Sequence, residues 1–206
     1  MNVGSFITSE KETYGIFSDG YAQSVTDEFI FEYNSLRDVL EKDSLSLMYE
    51  NALGTSKLKH SKIQFLPPLI NPTKIICVGM NYRKPYPIDG QSVSDPNNII
   101  LFGKNREAML AHLDFLESPV GDASNSFDYE GEIAIIIGQP GRRIKKEKAF
   151  DHIAAFTLCN EGTIRDWLKH AKFNVTQGKN WYKSGSLGPY LLQFRDKEQL
   201  IDKRIQ

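Results

Sequence analysis

The stretch FDYEGEIAIIIG, residues 127–138, has the composition of a β-strand and yet carries three carboxylates near its start. Successive side chains of a strand point to opposite faces. The pattern therefore predicts Asp128, Glu130 and Glu132 on one face and a row of isoleucines on the other. Two interpretations follow. Either the acids line the solvated face of an antiparallel sheet, which is a common arrangement, or they face a bound cation.

A third glutamate makes the cation a concrete hypothesis. Glu161 comes just after the apolar run IAAFTLC, at the end of a second predicted strand. Hard divalent cations bind oxygen ligands, and Mg²⁺ leaves several octahedral positions to water or substrate. Under this interpretation Glu130, Glu132 and Glu161 are the three protein ligands. The spacing of the acids alone leaves the solvated face open as the alternative.

Four further charged residues are candidates for the same site. Lys104 ends the apolar run NIILFGK, and Lys179 lies in QGKNW. Each is a candidate to neutralise a carboxylate or an enolate near the metal, and the alternative for each is a solvated surface group. Arg165 and Asp166 form either an ordinary helix pair or a support for the ligands.

Composition limits the classes of partner. The 206-residue chain has a net charge of -1, which gives no general attraction to nucleic acid or to an anionic membrane. Cys77 and Cys159 each lie in an apolar run, which favours buried thiols in a reducing compartment over a disulfide framework. The N-terminus lacks a signal-peptide pattern, and no apolar run approaches the roughly 20 residues of a membrane span. We therefore expect a cytoplasmic protein that binds neither nucleic acid nor a membrane.

The prolines of FLPPLINP suggest a division of the chain into two segments. Residues 1–66 are predicted to form a small α+β segment. Its amphipathic helices are expected at residues 35–41 and 46–53, and the second helix is expected to stop at Gly54. Residues 67–206 are predicted to form the core.

The predicted core alternates short apolar strands with polar connections. Strands are expected in KIICVG, in NIILFGK, in the acidic stretch and in IAAFTLC. A helix is expected near residues 146–152. A second helix is expected in NEGTIRDWLKHAKF, with Gly162 or Thr163 near its start.

Five blocks in the same order identify a family resemblance. Residues 67 to about 195 resemble the fumarylacetoacetate hydrolase superfamily. Within it, the resemblance is strongest to bacterial 2-hydroxyhepta-2,4-diene-1,7-dioate isomerases, 5-carboxymethyl-2-hydroxymuconate isomerases and oxaloacetate decarboxylases. The blocks are KIICVGMNYR, NIILFGK, FDYEGEIAIIIGQPGRRI, HIAAFTLCNEGTIRDW and QGKNWYKSGSLGPYLL.

The resemblance implies a fold and a metal. The fold is α+β and mostly β, with a rolled mixed β-sheet core and a small N-terminal α+β segment, usually in a homodimer. Mg²⁺ or Mn²⁺ is held by glutamates that match Glu130 and Glu132 and by an aspartate, which is Glu161 here. The additional methylene of Glu161 requires the backbone or rotamer to adjust, so Ca²⁺ is a further candidate.

The resemblance also implies a reaction. The metal acts as a Lewis acid on a small 2-oxo or enol dicarboxylic acid and stabilises an enolate. Isomerases, tautomerases and decarboxylases of the superfamily use this chemistry. Lys104 and Lys179 match catalytic lysines near the substrate, and the pair Arg165 and Asp166 matches a supporting RD motif. Two residues of the NYR motif, Asn81 and Tyr82, are further candidates to support the metal ligands or to contact the substrate.

Departures from the family pattern leave two alternatives open. Hydrolytic members follow the NYR motif with a His and a Glu that activate water, whereas this chain has Lys84, Pro85 and Ile88 in that region. We therefore expect an isomerase, tautomerase or decarboxylase rather than a C–C bond hydrolase of the acylpyruvase or fumarylacetoacetase type. The family core also extends beyond the position of Gln206, which predicts an incomplete core. The second alternative is a non-catalytic binding or scaffold protein with the same fold.

Overall fold

The structure is a computed structural model and describes residues 1–9, 11–79, 97–171 and 174–201. These ranges contain four α-helices and thirteen strands, and no helix within them is long and apolar enough to cross a membrane. The helices are α1 (Asp27–Glu32), α2 (Leu36–Glu41), α3 (Leu45–Leu53) and α4 (Thr176–Lys179). The strands are β1 (Asn2–Ile7), β2 (Glu12–Ser18), β3 (Tyr21–Ser24), β4 (Leu58–Lys59), β5 (Gln64–Phe65), β6 (Ile75–Gly79), β7 (Ile100–Lys104), β8 (Met109–Leu110), β9 (Phe127–Asp128), β10 (Gly131–Ile137), β11 (Ile153–Asn160), β12 (Thr163–Ile164) and β13 (Gly185–Gln193).

Nine of the described strands form one sheet. The order across it is β10-β11-β13-β1-β2-β3-β4, with β5 beside β1 and β8 beside β13. The β13–β8 pair is parallel and the other pairs are antiparallel, so the sheet is mixed. Two small antiparallel pairs, β6–β7 and β9–β12, lie outside it. The prediction of a mostly β fold of the α+β class is confirmed.

Helices α1, α2 and α3 bury the central strands. The side chains of Leu36 and Met48 are almost inaccessible to solvent and belong to the same apolar cluster as Val3 of β1 and Leu191 of β13. The Ser35 hydroxyl accepts a hydrogen bond from the backbone N–H of Asp38 and caps α2. The main hydrophobic core therefore lies between the helices and strands from both ends of the chain.

Strand β1 joins the first segment to the predicted core. Val3 pairs with Leu191 of β13, and the Ser5 hydroxyl donates a hydrogen bond of 2.9 Å to the carbonyl of Pro68. The sheet is thus continuous across the proposed boundary between residues 66 and 67. The division into two domains stays a prediction.

Two predicted elements differ from the structure. The stretch 127–138 is not one strand, because β9 pairs with β12 whereas β10 pairs with β11, and the chain changes partner between them. The predicted helix start at Thr163 is also wrong, since Thr163 belongs to β12 and a 3₁₀ helix begins only at Asp166. The β-branched side chain of Thr163 favours a strand over a helix.

Neighbouring residues of α3 provide a test of the core. Met48 is fully buried, whereas 48% of the surface of Leu47 is exposed. We expect Met48→Ala to lower the free energy of unfolding by about 2 to 5 kcal/mol and Leu47→Ala to change it by less than about 0.5 kcal/mol. Urea unfolding measures both. Equal effects of the two substitutions would contradict the described packing.

Candidate metal centre

The antiparallel register of β10 and β11 brings the acidic segments together. Gly131 pairs with Asn160 and Glu132 with Cys159. Beyond this pairing, the backbone N–H of Glu161 donates to the carbonyl of Glu130 over 2.8 Å. The start of β10 therefore lies beside the end of β11, and residues distant in sequence become neighbours.

The three predicted ligands converge at this point. Glu130, Glu132 and Glu161 each offer a carboxylate oxygen, and the three oxygens lie within 4.8 Å of one another. Glu161 is 1% exposed, and the other two glutamates are partly buried. A fully solvated row of acids therefore does not describe these side chains. We call Glu130, Glu132 and Glu161 the glutamate triad.

Both predicted lysines lie against the glutamate triad. The Lys179 ammonium donates to Glu130 Oε1 and to Glu161 Oε2, each over 2.8 Å. The Lys104 ammonium lies 3.4 Å from Glu161 Oε1 and donates to the carbonyl of Gly162 over 3.0 Å. Lys104 is 4% exposed and Lys179 is 6% exposed, so neither is a solvated surface group.

Arg165 and Asp166 occupy different positions. The Arg165 guanidinium donates to Glu130 Oε1 over 2.7 Å and to Asp128 Oδ2 over 3.0 Å, so it supports the glutamate triad. Asp166 is exposed, and its carboxylate has no hydrogen-bond partner among the described residues. The structure thus brings Arg165 to the triad and does not bring Asp166 there. A functional role for Asp166 stays a prediction.

Two polar residues near the triad were missed by the sequence analysis. Thr163 is fully buried, and its hydroxyl lies 2.8 Å from Glu130 Oε1 and 3.0 Å from the carbonyl of Glu161. The Asn160 side-chain oxygen accepts a hydrogen bond from the backbone N–H of Glu130. The sequence offered one indication that they lie near the triad, which is that both are close to Glu161 in the chain. We did not use it for Thr163, because we predicted a helix there.

The local charges affect Glu130 and Glu132 in opposite directions. Burial alone would raise the pKa of Glu130, but the hydrogen bond and charge of Lys179, the Thr163 hydroxyl and Arg165 together hold it below its ordinary value. Burial raises the pKa of Glu132, and the negative charges of Glu161 and Glu130 raise it further. Glu132 has no hydrogen-bond or ion-pair partner within the described ranges. It is the member of the triad whose charge is least compensated.

The two thiols lie near the same charges. Burial raises the pKa of Cys77 to about 12, with further contributions from the carboxylates of Glu161 and Glu132. Burial likewise raises the pKa of Cys159 to about 12, with a contribution from Glu132. Neither cysteine forms a disulfide. Both thiols are therefore protonated at neutral pH, which is the form that neither attacks an electrophile nor binds a metal.

Carboxylate oxygens suit a hard divalent cation. The glutamate triad offers three carboxylate oxygens within 4.8 Å of one another, and oxygen donors are the ligands that Mg²⁺ and Ca²⁺ prefer. The donor set and its spacing fit the predicted metal. The predicted contacts Asn81 and Tyr82 lie outside the described residues, as do Lys84, Pro85 and Ile88.

Family comparison places the chain in a known group of proteins. Residues 74–205 match the family described as fumarylacetoacetate (FAA) hydrolase, C-terminal. This range covers both strands of the acidic site and both lysines. The chain belongs to this family, and the resemblance that we drew from its five sequence blocks is confirmed.

Individual relatives match with moderate identity. The chain is 36% identical over 158 residues to a mitochondrial oxaloacetate tautomerase of Xenopus laevis, covering 70% of this chain and 47% of the relative. It is 32% identical over 168 residues to the oxaloacetate tautomerase YisK of Bacillus subtilis, covering 81% and 53%. The chain thus spans about half the length of these curated relatives.

A solved structure shows the same fold. The fumarylacetoacetate hydrolase of Exiguobacterium antarcticum superimposes with a TM-score of 0.72 at 27% identity, over 94% of this chain and 66% of that one. The predicted family fold is therefore confirmed.

A glycine beside the triad allows a close backbone contact that can be tested. A Cβ at Gly162 would overlap the carbonyl oxygen of Ser184, whereas a Cβ at Gly103 would meet nothing within 4 Å. We expect Gly162→Ala to displace the chain next to Glu161 and to lower the free energy of unfolding by more than about 2 kcal/mol. Gly103→Ala is the control, and urea unfolding is the measurement. Equal stability of the two variants would contradict the close contact.

Proposed function

We propose that this protein is a divalent-metal-dependent enzyme that acts on a small 2-oxo or enol dicarboxylic acid through a stabilised enolate. The observation that carries the proposal is the convergence of the glutamate triad with two buried ammonium groups, those of Lys104 and Lys179. Mg²⁺ or Mn²⁺ is the proposed ion, and Ca²⁺ is a further candidate.

The electrostatics of the glutamate triad support a cation. Two like charges 4 Å apart repel by about 4 kcal/mol at an effective dielectric constant near 20. Lys179 offsets the charge of Glu130 and Glu161, yet Glu132 has no such partner among the described residues. A divalent ion between the three carboxylates would turn this repulsion into attraction. Glu132 is therefore the ligand that gains most from the ion.

The metal, when bound, supplies Lewis-acid stabilisation of negative charge on the substrate oxygens. Glu130, Glu132 and Glu161 would hold it. The Arg165 guanidinium contacts the carboxylates of both Asp128 and Glu130, and so restrains the position of the Glu130 side chain. The ammonium groups of Lys104 and Lys179 would stabilise the negative charge of the enolate oxygens. The low exposure of both lysines strengthens this effect, because little water competes with it.

We propose keto–enol tautomerisation as the reaction, with isomerisation or decarboxylation as related outcomes of the same enolate. The names of the Xenopus and Bacillus relatives support oxaloacetate as the first substrate to test. C–C bond hydrolysis, which the name of the Exiguobacterium protein suggests, is the alternative. It ranks lower because the chain lacks the His and Glu expected after the NYR motif.

A homodimer is the proposed assembly. Apolar side chains on one face of the β6–β7 pair support it, since more than half of the surface of both Ile76 and Leu101 is exposed. The proposed location is the cytoplasm. This proposal rests on the sequence composition alone.

A non-catalytic binding protein is the second candidate, and one contact favours it. Lys179 bridges Glu130 and Glu161 with two hydrogen bonds of 2.8 Å, so this part of the triad is neutralised by the protein itself. In such a protein the acids and lysines would serve only as a buried ion-pair network. Removing Glu132, which lies outside that network, would then have little consequence.

Substitution of Glu132 separates the two candidates. With Mn²⁺ present, we expect the wild type to accelerate the enol-to-keto conversion of oxaloacetate above the rate with Mn²⁺ alone. Glu132→Gln should reduce the turnover number at least about 100-fold, because it weakens both the metal site and the charge stabilisation that the ion provides. The loss of the ultraviolet absorbance of the enol measures the rate.

Thermal melting and a matched variant complete the experiment. A metal at about 100 times its dissociation constant should stabilise the wild type by about 2.7 kcal/mol, and this shift should be lost in Glu132→Gln. Glu147→Gln, at an exposed site in a 3₁₀ helix, should behave as the wild type does in both assays. A folded protein that neither binds the metal nor turns over oxaloacetate, acylpyruvates or hydroxymuconate-type acids would favour the non-catalytic candidate and refute the proposed enzyme. Metal binding without turnover of any of these acids would refute the proposed catalysis and leave only the metal site.

A further inference from the structure

One oxygen of Glu130 receives an unusual number of hydrogen bonds. Glu130 Oε1 lies 2.8 Å from Lys179 Nζ, 2.7 Å from Arg165 Nη1 and 2.8 Å from Thr163 Oγ1. All three groups are donors. Within the described part of the chain, no hydrogen bond reaches Oε2 of the same carboxylate.

This asymmetry decides which oxygen is available to a cation. A carboxylate oxygen offers two lone pairs, so three donors leave no good acceptor direction on Oε1. A cation at Oε1 would also lie beside the positive charges of Lys179 and Arg165. Oε2 accepts no hydrogen bond among the described residues, so its lone pairs are open. It is therefore the oxygen of Glu130 that is better suited to a metal.

Thr163 differs from the two charged donors. Arg165 is exposed and Lys179 is a long flexible side chain, whereas Thr163 is fully buried in β12. Its β-branched side chain has few accessible rotamers, and β12 is fixed to β9 by the pairing of Thr163 with Asp128. Because Thr163 is the rigid donor of the three, it is best suited to fix the rotation of the carboxylate.

The Thr163 hydroxyl has one proton and two acceptors within reach. Glu130 Oε1 is 2.8 Å away and the carbonyl of Glu161 is 3.0 Å away. The carboxylate is the nearer acceptor and the charged one, so it takes the larger share of the proton. Because both acceptors lie within hydrogen-bond distance of this one hydroxyl, Thr163 also connects the side chain of Glu130 with the backbone of Glu161.

We propose that Thr163 is a positioning residue that, by donating to Glu130 Oε1, assigns Glu130 Oε2 to the metal. This inference rests on the proposed metal site and extends it to a residue to which the family resemblance assigns no function. Outer contacts of this kind typically change metal affinity by about 10- to 100-fold.

Two substitutions at Thr163 test the role. Thr163→Val keeps the shape of the side chain and removes the donor, and Thr163→Ser keeps the donor. We expect Thr163→Val to weaken Mn²⁺ binding, measured by titration calorimetry, at least about 10-fold. Thr163→Ser should return the affinity to within about 3-fold of the wild type. The electron paramagnetic resonance spectrum of bound Mn²⁺ should change in Thr163→Val and match the wild type in Thr163→Ser, since it reports the coordination geometry directly.

Thr157 provides a matched control. It is a buried threonine of β11 whose hydroxyl donates to the carbonyl of Tyr190 over 2.8 Å, away from the triad. Thr157→Val removes a comparable hydrogen bond, so it should lower the urea midpoint without changing Mn²⁺ affinity or the spectrum. A Thr163→Val protein that differs from the wild type only in its urea midpoint would overturn the inference, because Thr163 would then be merely structural.

The outcomes separate this inference from the proposed function. If the wild type binds Mn²⁺ and Thr163→Val binds it equally well, only the inference about Thr163 fails. Equal loss of binding in Thr163→Val and Thr163→Ser also overturns it, because the donor would not be the cause. If the wild type binds no Mn²⁺, the metal site fails and the inference fails with it.

Discussion

The β10–β11 register holds three carboxylates close together, and the candidate site depends on how their mutual repulsion is compensated. The pairing of Gly131 with Asn160 fixes the neighbouring backbone, so Glu130 and Glu161 meet wherever these two strands form. Carboxylates at this separation repel by several kcal/mol and are costly to bury. The fold tolerates them only with a compensating charge. The surrounding lysines, Arg165 and Thr163 follow from this requirement.

The negative charges of the three carboxylates in the glutamate triad are compensated to different degrees. Glu161, the most buried member, contacts both Lys104 and Lys179. Glu130 has Arg165 and Lys179, together with the Thr163 hydroxyl. Glu132 has no direct partner in the described ranges, and burial, together with the charges of the other two carboxylates, raises its pKa. Neighbouring donors of the protein therefore neutralise two of the three carboxylates, whereas the charge of Glu132 has no direct partner in the described ranges and would attract a cation.

Sequence reasoning identified the acids and lysines, but not the full set of contacts. The alternation of residues 127–138 correctly directed attention to Glu130 and Glu132, even though the single strand it predicted is divided between β9 and β10. The family resemblance connected the distant Glu161, Lys104 and Lys179. Thr163 and the pairing of Arg165 with Asp128 could not be predicted, because they depend on β9 joining β12 rather than on any local periodicity. For the same reason the sequence left open whether Arg165 and Asp166 form an ordinary helix pair or support the ligands, and in the structure Asp166 is exposed.

Anomalous diffraction from crystals of the wild-type protein grown with Mn²⁺ tests the central claim most directly. We predict one strong anomalous peak within about 2.0 to 2.6 Å of an oxygen from each of Glu130, Glu132 and Glu161, with Glu130 bound through Oε2. A structure at saturating Mn²⁺ with no such peak, in which Lys179 still bridges Glu130 and Glu161, would contradict the account. The site would then be an ion-pair network rather than a metal centre.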